Sequence, residues 1–183
     1  MSSVIFHRHM TQRVPTDPHW KVNCTAYCAA MLINDSTLGG LYGVTGQAVR
    51  ARSDEPNPDP GSPGLNIRQI VEVAGTFNVS LDDKTGEAWP TMMLGLKRGH
   101  RVLLQVDYAS LGTFRCQAGG DFGHALVLVQ TTKGFVQVSD PLCKVTKWIP
   151  ENIARHAGEV FARESGVMSG TRHAICRAVP KVG

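Results

Sequence analysis

Three side chains that could together cleave an amide bond lie far apart in this sequence. Cys24 follows Asn23, a residue type favoured at helix N-caps, and opens an apolar stretch that predicts a helix. A thiol in the first helical turn faces the positive end of the helix dipole and unpaired backbone N–H groups, and both favour the thiolate. His124 and Asp140 follow in the order expected of a nucleophile, its base and the group that orients the base.

A predicted hairpin should bring His124 and Asp140 together. Residues 125–129 and 135–138 have the pattern of two apolar strands joined by a turn at residues 132–134. The end of the second strand then lies beside the start of the first, so the Asp140 carboxylate can fix the tautomer of the His124 ring. A histidine at the start of a buried strand needs such a partner, because burial of unpaired ring nitrogens is unfavourable.

The same cysteines also have a purely structural interpretation. Free cysteine is among the most buried residue types, so Cys24 and Cys28 could both be core residues of one helix. Cys28 lies one turn beyond Cys24, and we expect it in the core. Cys116 and Cys143 lack a helix start, which ranks them below Cys24 as nucleophiles.

His7 and His9, with Cys24 and Cys28, bring four potential metal ligands close together in the sequence. The spacing of the two cysteines is not that of a structural zinc site. We therefore predict no metal site, and we expect the two N-terminal histidines to face solvent.

Composition places the chain among ordinary globular proteins. It has 183 residues, of which 42% are hydrophobic and 19% are charged, so we expect one domain, residues 1–183, with no dependence on disulfides. The net charge of +4 comes from scattered lysines and arginines, which does not indicate nucleic-acid binding. Five cysteines are an odd number, so at least one stays unbridged, and a reducing compartment is favoured.

The N-terminal residues and the hydropathy pattern predict a soluble protein. The apolar run near the N-terminus is too short for the core of a signal peptide, and no stretch approaches the length needed to span a bilayer. We therefore expect synthesis in the cytoplasm and no membrane insertion.

The periodicity of the remaining chain predicts an α+β fold. After the Cys24 helix come a turn-rich segment and a proline-rich surface loop at residues 55–64. Further helices are predicted at 65–74, 90–98 and 150–156, and further strands at 77–81, 101–108 and 172–179. Gly75 should follow the first of these helices as its C′ residue, and a glycine-rich loop at 109–123 should deliver the chain to His124.

The segment NCTAYCAAMLIN resembles the nucleophile helix of papain-like cysteine peptidases of the bacteriocin-processing type. The likeness continues over residues 23–153 through LNIRQIVEVAG, LGLKRGHRVLLQVDY, GHALVLV, GFVQVSDPL and KWIPENI. It implies a nucleophile helix packed on a mostly antiparallel sheet. It also implies that Cys24 is the nucleophile, His124 the general base and then acid, and Asp140 the orienting group, with no cofactor.

The sequence departs from the pattern of that family at the oxyanion hole. The family usually has a glutamine about six positions before the cysteine, where this chain has Pro18, and Gln12 is too distant for an easy substitution. His19 and Asn23 are the candidate donors that we consider instead, with His19 preferred. Thr25 stands where a glycine often follows the nucleophile.

The resemblance leaves the substrate open. Trp20, four residues before Cys24, is the candidate wall of a substrate groove. Small relatives without a transporter segment include enzymes that cut cell-wall peptides, some of them carried by phages, so a peptide or cell-wall peptide substrate and virion or tail partners are predicted. The alternatives are an inactive papain-like module with a structural or binding role, for example in a phage tail, and an acyltransferase of the transglutaminase-like type.

Overall fold

The computed structural model describes residues 7–36, 43–59, 64–118 and 122–178. The helices in these ranges are α1 (Cys24–Ser36), α2 (Gly46–Ala51), α3 (Ile67–Gly75), α4 (Trp89–Lys97) and α5 (Glu151–Glu164). The strands are β1 (Asp82–Asp83), β2 (His100–Asp107), β3 (Gly123–Thr132), β4 (Phe135–Ser139), β5 (Lys147–Pro150) and β6 (His173–Arg177). Short 3₁₀ helices precede α1 (Trp20–Val22) and follow β2 (Ala109–Phe114).

The described strands form one antiparallel sheet in the order β1-β6-β2-β3-β4-β5. Helices cover both faces, which confirms the predicted α+β class. Alternate residues of the central strands enter different apolar clusters: Leu103 and Val127 pack with α1 and α3, whereas Leu104 and Leu126 pack with α4 and α5. Because both faces are covered, β2 and β3 are nearly continuous apolar runs in the sequence.

Helix α1 lies inside the protein, since every residue from Cys24 to Asp35 is buried. Its small and apolar side chains allow this close packing. Asp35, near its end, is paired with Arg101 Nε at 2.9 Å and with His7 Nδ1 at 2.7 Å. A buried carboxylate needs such partners, because leaving it unpaired in the core is strongly unfavourable.

The predicted hairpin is confirmed. β3 and β4 are paired, with Val127 opposite Ser139. The turn between them uses Lys133 at φ 40° and Gly134 at φ 82°. Two successive residues with positive φ are typical of the tight turns that match the twist of antiparallel strands.

Helix α3 begins at a capping box. The Asn66 side chain accepts a hydrogen bond from the Gln69 backbone N–H, and the Gln69 side chain accepts one from the Asn66 backbone N–H. Gly75 is the last residue of this helix, not the residue after it, and the left-handed position is taken by Asn78 at φ 59°. The strand predicted at 77–81 is wrong, because a turn occupies its first residues and pairing with β6 is limited to β1.

Several short elements were not predicted. α2 follows a glycine-rich segment that suggested only turns, and β5 precedes a helix that begins after Pro150 and runs on to Glu164. Part of the proline-rich loop (60–63) and part of the glycine-rich loop (119–121) lie outside the described residues, as do residues 1–6 and 37–42 and the end of the last predicted strand. In the described part of the chain, no helix combines the length and apolarity needed to cross a bilayer.

Two expectations about cysteine and histidine are corrected. Cys116 and Cys143 form a disulfide across 27 residues, although the sequence suggested independence from disulfides. His7 and His9 do not face solvent as expected: His7 pairs with Asp35, and the His9 ring bonds Ser139 Oγ at 2.5 Å and the Cys143 carbonyl at 3.0 Å. The reason is tertiary, because the N-terminal arm packs along the segment that follows β4.

Candidate active site

His124 and Asp140 lie together at one end of the β3–β4 hairpin. His124 Nε2 is 2.7 Å from Asp140 Oδ1, and both side chains are buried. The same carboxylate oxygen accepts a hydrogen bond from the Leu142 backbone N–H at 2.8 Å. The carboxylate therefore has a fixed position and holds the histidine ring by one nitrogen, which leaves Nδ1 for another partner.

Cys24 lies against the same ring. Its thiol interacts with the His124 side chain and with the backbone N–H groups of Thr25 and Ala125. Ala125 is the second residue of β3, so the start of α1 and the start of β3 meet here. The structure thus brings together all three residues of the predicted relay, across a sequence separation that no local element spans.

The environment shifts the acid–base properties of all three groups. Burial raises the pKa of the Cys24 thiol, but the hydrogen bond and the charge of His124 outweigh this, so the pKa is lowered from its ordinary value of 9.0. Burial lowers the pKa of His124, yet Asp140 and Cys24 together raise it to about 9. Burial raises the pKa of Asp140, but the bond to His124 lowers it overall. The lowered pKa of Cys24 and the raised pKa of His124 together favour a thiolate–imidazolium pair of these two residues.

Two cavities have Cys24 and His124 in their walls. The first has a volume of about 350 Å³, and the lining residues that it does not share with the second include Gln12, Trp20, Gln117 and Leu142. The second has a volume of about 460 Å³, and the lining residues that it does not share with the first include Thr25, Gln105, Phe161 and Arg172. The thiol therefore borders both spaces, and a bound chain could extend from one into the other past Cys24.

Gln12 is the site residue that sequence reasoning rejected. It lies 12 positions before Cys24, yet it is buried and lines the same cavity. Its backbone N–H donates to the Pro141 carbonyl at 2.8 Å, and its Nε2 donates to the Trp20 carbonyl at 2.8 Å. The N-terminal arm reaches the cavity by packing along the segment after Asp140, so distance along the chain was a poor guide. The residue type itself was the only signal in the sequence.

The two donors preferred from the sequence have other partners. The His19 backbone N–H donates to Asp17 Oδ1 at 2.9 Å, and His19 is not among the described residues that line either cavity. The Asn23 amide donates to Asp17 Oδ2 at 3.0 Å, and its oxygen accepts from Arg50 Nε at 2.8 Å. His19 therefore lies outside both cavity walls, and the Asn23 side chain is held by Asp17 and Arg50, whereas Gln12 is one of the polar residues that line the first cavity with Cys24.

Trp20, which the sequence suggested as the wall of a substrate groove, lines the first cavity. It belongs to the 3₁₀ helix before α1 and lines the first cavity with Gln12. Lys21 Nζ lies 5.8 Å from the centre of its ring, and the Arg13 guanidinium lies 5.9 Å away. Two cationic side chains therefore lie within cation–π distance of the indole.

One group of potential metal ligands occurs among the described residues. Ligand atoms of Cys116, Asp140 and Cys143 lie within 4.8 Å of one another. Both sulfurs belong to the disulfide, and a metal binds the thiolate form of cysteine. In its oxidised form this cluster is therefore not a metal site.

Comparison with known proteins shows similarity at the level of structure. No protein-family model matches the chain, and no curated protein matches it significantly. A solved structure described as a C39-like peptidase from Bacillus anthracis is similar at a TM-score of 0.63 and 15% identity, over 94% of this chain and 96% of that one.

Two further solved structures are similar over nearly their whole length. The peptidase domain of the Streptococcus ComA transporter gives a TM-score of 0.57 at 14% identity, over 94% of this chain and 98% of that one. A double-glycine-motif protease from an AMS/PCAT transporter, solved with its leader peptide, gives 0.53 at 15% identity, over 93% and 90%. The chain therefore has the papain-like fold of the C39 peptidases.

Proposed function

We propose that this chain is a cysteine peptidase that cleaves an amide bond with Cys24, His124 and Asp140. The observation that carries the proposal is the buried relay in which Asp140 holds His124 at 2.7 Å and His124 hydrogen-bonds Cys24 at the junction of two cavities. The likeness to C39-like peptidase folds supports peptide hydrolysis as the general reaction.

The reaction begins with the Cys24 thiolate, which attacks the carbonyl carbon and forms a tetrahedral oxyanion. The His124 imidazolium then protonates the leaving amine, and the C–N bond breaks to give an acyl-enzyme. In the second half, neutral His124 takes a proton from water, which attacks the thioester and releases the acid. Asp140 stabilises the imidazolium and keeps Nδ1 directed at the sulfur.

Gln12 is the side chain that we assign to the oxyanion, together with the Cys24 backbone N–H. The Trp20 carbonyl can only accept a hydrogen bond, so the amide nitrogen of Gln12 must face it. An amide nitrogen carries two hydrogens, and this bond uses one of them. The second can be donated to the oxyanion, while the first holds the amide in place.

The substrate that we infer is a peptide segment lying across both cavities. The AMS/PCAT protease binds a leader peptide in its solved complex, which supports a protein-derived segment. The net charge of +4 supports a second candidate, the peptide cross-links of an anionic cell wall, by attraction to that polymer. Association with a virion or phage tail stays a prediction of the sequence.

The test of this proposal is the reactivity of Cys24. At slightly acidic pH, iodoacetamide should alkylate Cys24 about tenfold faster than a free cysteine, because the thiolate is already present. His124→Ala should remove this advantage, and Cys24→Ala should remove the labelled peptide from the mass spectrum. If Cys24 reacts no faster than free cysteine, the peptidase proposal fails.

The cleavage products distinguish the two substrate candidates, because each broken amide bond leaves new chain ends that can be identified. The purified protein is incubated with a pool of extended peptides and, separately, with isolated peptidoglycan, and the products are identified by mass spectrometry. Release of free acids identifies hydrolysis. Transfer of the acyl group to an added amine, in preference to water, would identify an acyltransferase instead.

A further inference from the structure

The second cavity contains polar groups that the proposed mechanism does not use. Thr25, Gln105 and Arg172 line it beside Cys24 and His124. Thr25 directly follows the nucleophile at the position where the related peptidases often have glycine, so this part of the wall carries a hydroxyl that the chemistry of the relay does not need.

Buried atoms of these three side chains have no hydrogen-bond partner in the described part of the protein. They are Thr25 Oγ1, Gln105 Oε1 and Arg172 Nε. Thr25 and Gln105 are only 3% and 7% exposed. Buried polar groups are nearly always hydrogen-bonded in folded proteins. Three of the nine such atoms in the described part of the chain belong to residues of this one cavity wall, and a wall that binds a polar ligand would have such a concentration.

The charge of the wall determines which molecule fits. Lys21 and Arg172 line the cavity, and none of its described lining residues carries a carboxylate. No described acidic residue forms an ion pair with Arg172. An arginine with free donors in a partly enclosed site is well suited to a planar carboxylate. Phe122 and Phe161 provide apolar surface for the carbon stem of the ligand.

The unpartnered atoms also match a peptide in their donor and acceptor types. The Arg172 guanidinium and the Thr25 hydroxyl can donate to a carboxylate, whereas Gln105 Oε1 can only accept a hydrogen bond, for example from a peptide N–H group. The Gln105 amide is oriented by its nitrogen, which donates to the Leu65 carbonyl at 3.4 Å. A peptide supplies both requirements, because it carries backbone N–H groups beside its side chains.

We propose that this cavity is a specificity subsite that binds a carboxylate of the substrate next to the scissile bond, with Arg172 as its main anchor. The inference rests on the proposed peptidase function and specifies its substrate class as carboxylate-bearing peptides. The carboxylate comes either from an acidic side chain or from a free peptide C-terminus, and both present the same planar group to Arg172.

Binding to the Cys24→Ala chain tests the subsite without any catalytic step. Three peptides are titrated and followed by NMR: acetyl-Ala-Glu-Gly-Ala-amide, its neutral glutamine counterpart, and that glutamine peptide with a free C-terminal acid. We expect at least one of the two carboxylate peptides to bind about tenfold more tightly than the neutral one. Whichever one does so identifies the source of the carboxylate.

Substitutions at Arg172 provide the controls. In the same Cys24→Ala background, Arg172→Gln should erase the preference, and Arg172→Lys should keep part of it because the charge is retained. Arg177→Gln makes the same charge change at an exposed position on β6 and should leave the preference intact. Equal binding of the three peptides, no measurable binding of either carboxylate peptide, or a preference that survives Arg172→Gln would overturn the inference.

The outcome is separable from that of the proposed function. In the chain that retains Cys24, Arg172→Gln should leave alkylation of Cys24 by neutral iodoacetamide unchanged. A reactive Cys24 without carboxylate preference defeats the subsite alone. An unreactive Cys24 in a chain that still selects carboxylate peptides defeats the peptidase proposal and leaves the cavity as a binding site.

Discussion

Cys24 and Cys28 lie one turn apart on α1 and are both buried, with exposed fractions of 8% and 0%. Their thiols nevertheless have opposite properties. The hydrogen bond and charge of His124 lower the pKa of Cys24 despite its burial, whereas burial raises the pKa of Cys28 well above its ordinary value. Burial is nearly shared, so the difference comes mainly from His124, which reaches only the first turn, and also from the backbone N–H groups of Ala125 and Thr25.

Two buried histidines of the sheet repeat this contrast. Burial lowers the pKa of His124, but Asp140 and Cys24 outweigh it and raise the pKa to about 9. Burial lowers the pKa of His173, whose Nδ1 contacts only the neutral Thr171 hydroxyl at 2.9 Å. Of these two buried rings, the one in contact with a carboxylate and a thiol has the raised pKa, and the one beside a neutral hydroxyl has the lowered pKa.

The largest expected effect separates the two helix cysteines. Cys24→Ala should reduce peptide cleavage by about 10⁴-fold or more, since removal of a nucleophile leaves only binding and oxyanion stabilisation. Cys28→Ala should leave the rate within a few-fold and lower the stability by about 1 kcal/mol for the lost sulfur packing. The measurements are kcat/KM and urea unfolding. Similar losses of activity in both variants would contradict the contrast between the two turns.

A smaller effect separates the two glutamines of the first cavity. Gln12→Ala should lower kcat by about 10²–10³-fold, the usual effect of removing one oxyanion donor. Gln117→Ala is the matched control, because this side chain lines the same cavity and accepts a hydrogen bond from Arg13 at 2.6 Å. Steady-state kinetics should show the loss mainly in kcat. Equal effects of the two substitutions would remove the special role of Gln12.

The pH profile tests what Asp140 does for His124. The imidazolium that protonates the leaving group persists as pH rises to about 9, so kcat/KM should fall above that pH. The acid limb should lie below 9.0, because the pKa of Cys24 is lowered. Asp140→Asn removes one of the groups that raise the pKa of His124, and the alkaline limb should move down toward the ordinary value of about 6.5.

The control for this profile is Asp107→Asn, which removes a carboxylate that bonds Ser110 at the end of β2. Its alkaline limb should stay near that of the unmodified protein. The same pKa shift makes a stability prediction: the imidazolium contribution is complete below about pH 6.5 and is lost as pH rises through about 9. An unchanged alkaline limb in Asp140→Asn would show that the carboxylate does not set the charge of His124.

The smallest expected effect on activity concerns the disulfide near Asp140. Replacing Cys116 and Cys143 by serine should lower the free energy of unfolding by about 2–4 kcal/mol, because the closed loop restrains the unfolded chain. Activity should fall only a few-fold, since Leu142 and His124 still hold Asp140. Urea unfolding and kcat/KM are the measurements. Loss of activity comparable to that of Cys24→Ala would place the disulfide within the relay itself.

Local sequence patterns predicted much of the fold and, within the relay, the contact between His124 and Asp140. The helix at Cys24 and the hairpin with its short turn follow from periodicity and turn chemistry, and the contact between His124 and Asp140 follows from antiparallel register. Weak or short elements were missed: α2 and β5 have no strong apolar period, and the strand at 77–81 gave way to a turn.

By itself, the sequence determined which residue types stand at the start of α1 and at the two ends of the hairpin, because those positions depend on neighbours within a few residues. Only the tertiary structure decided that α1 meets β3 at Cys24, that the N-terminal arm carries Gln12 into the cavity, and that Cys116 reaches Cys143. Such contacts join distant parts of the chain. They form because the sheet and its helices bury apolar surface together, and no spacing along the sequence encodes the resulting distances.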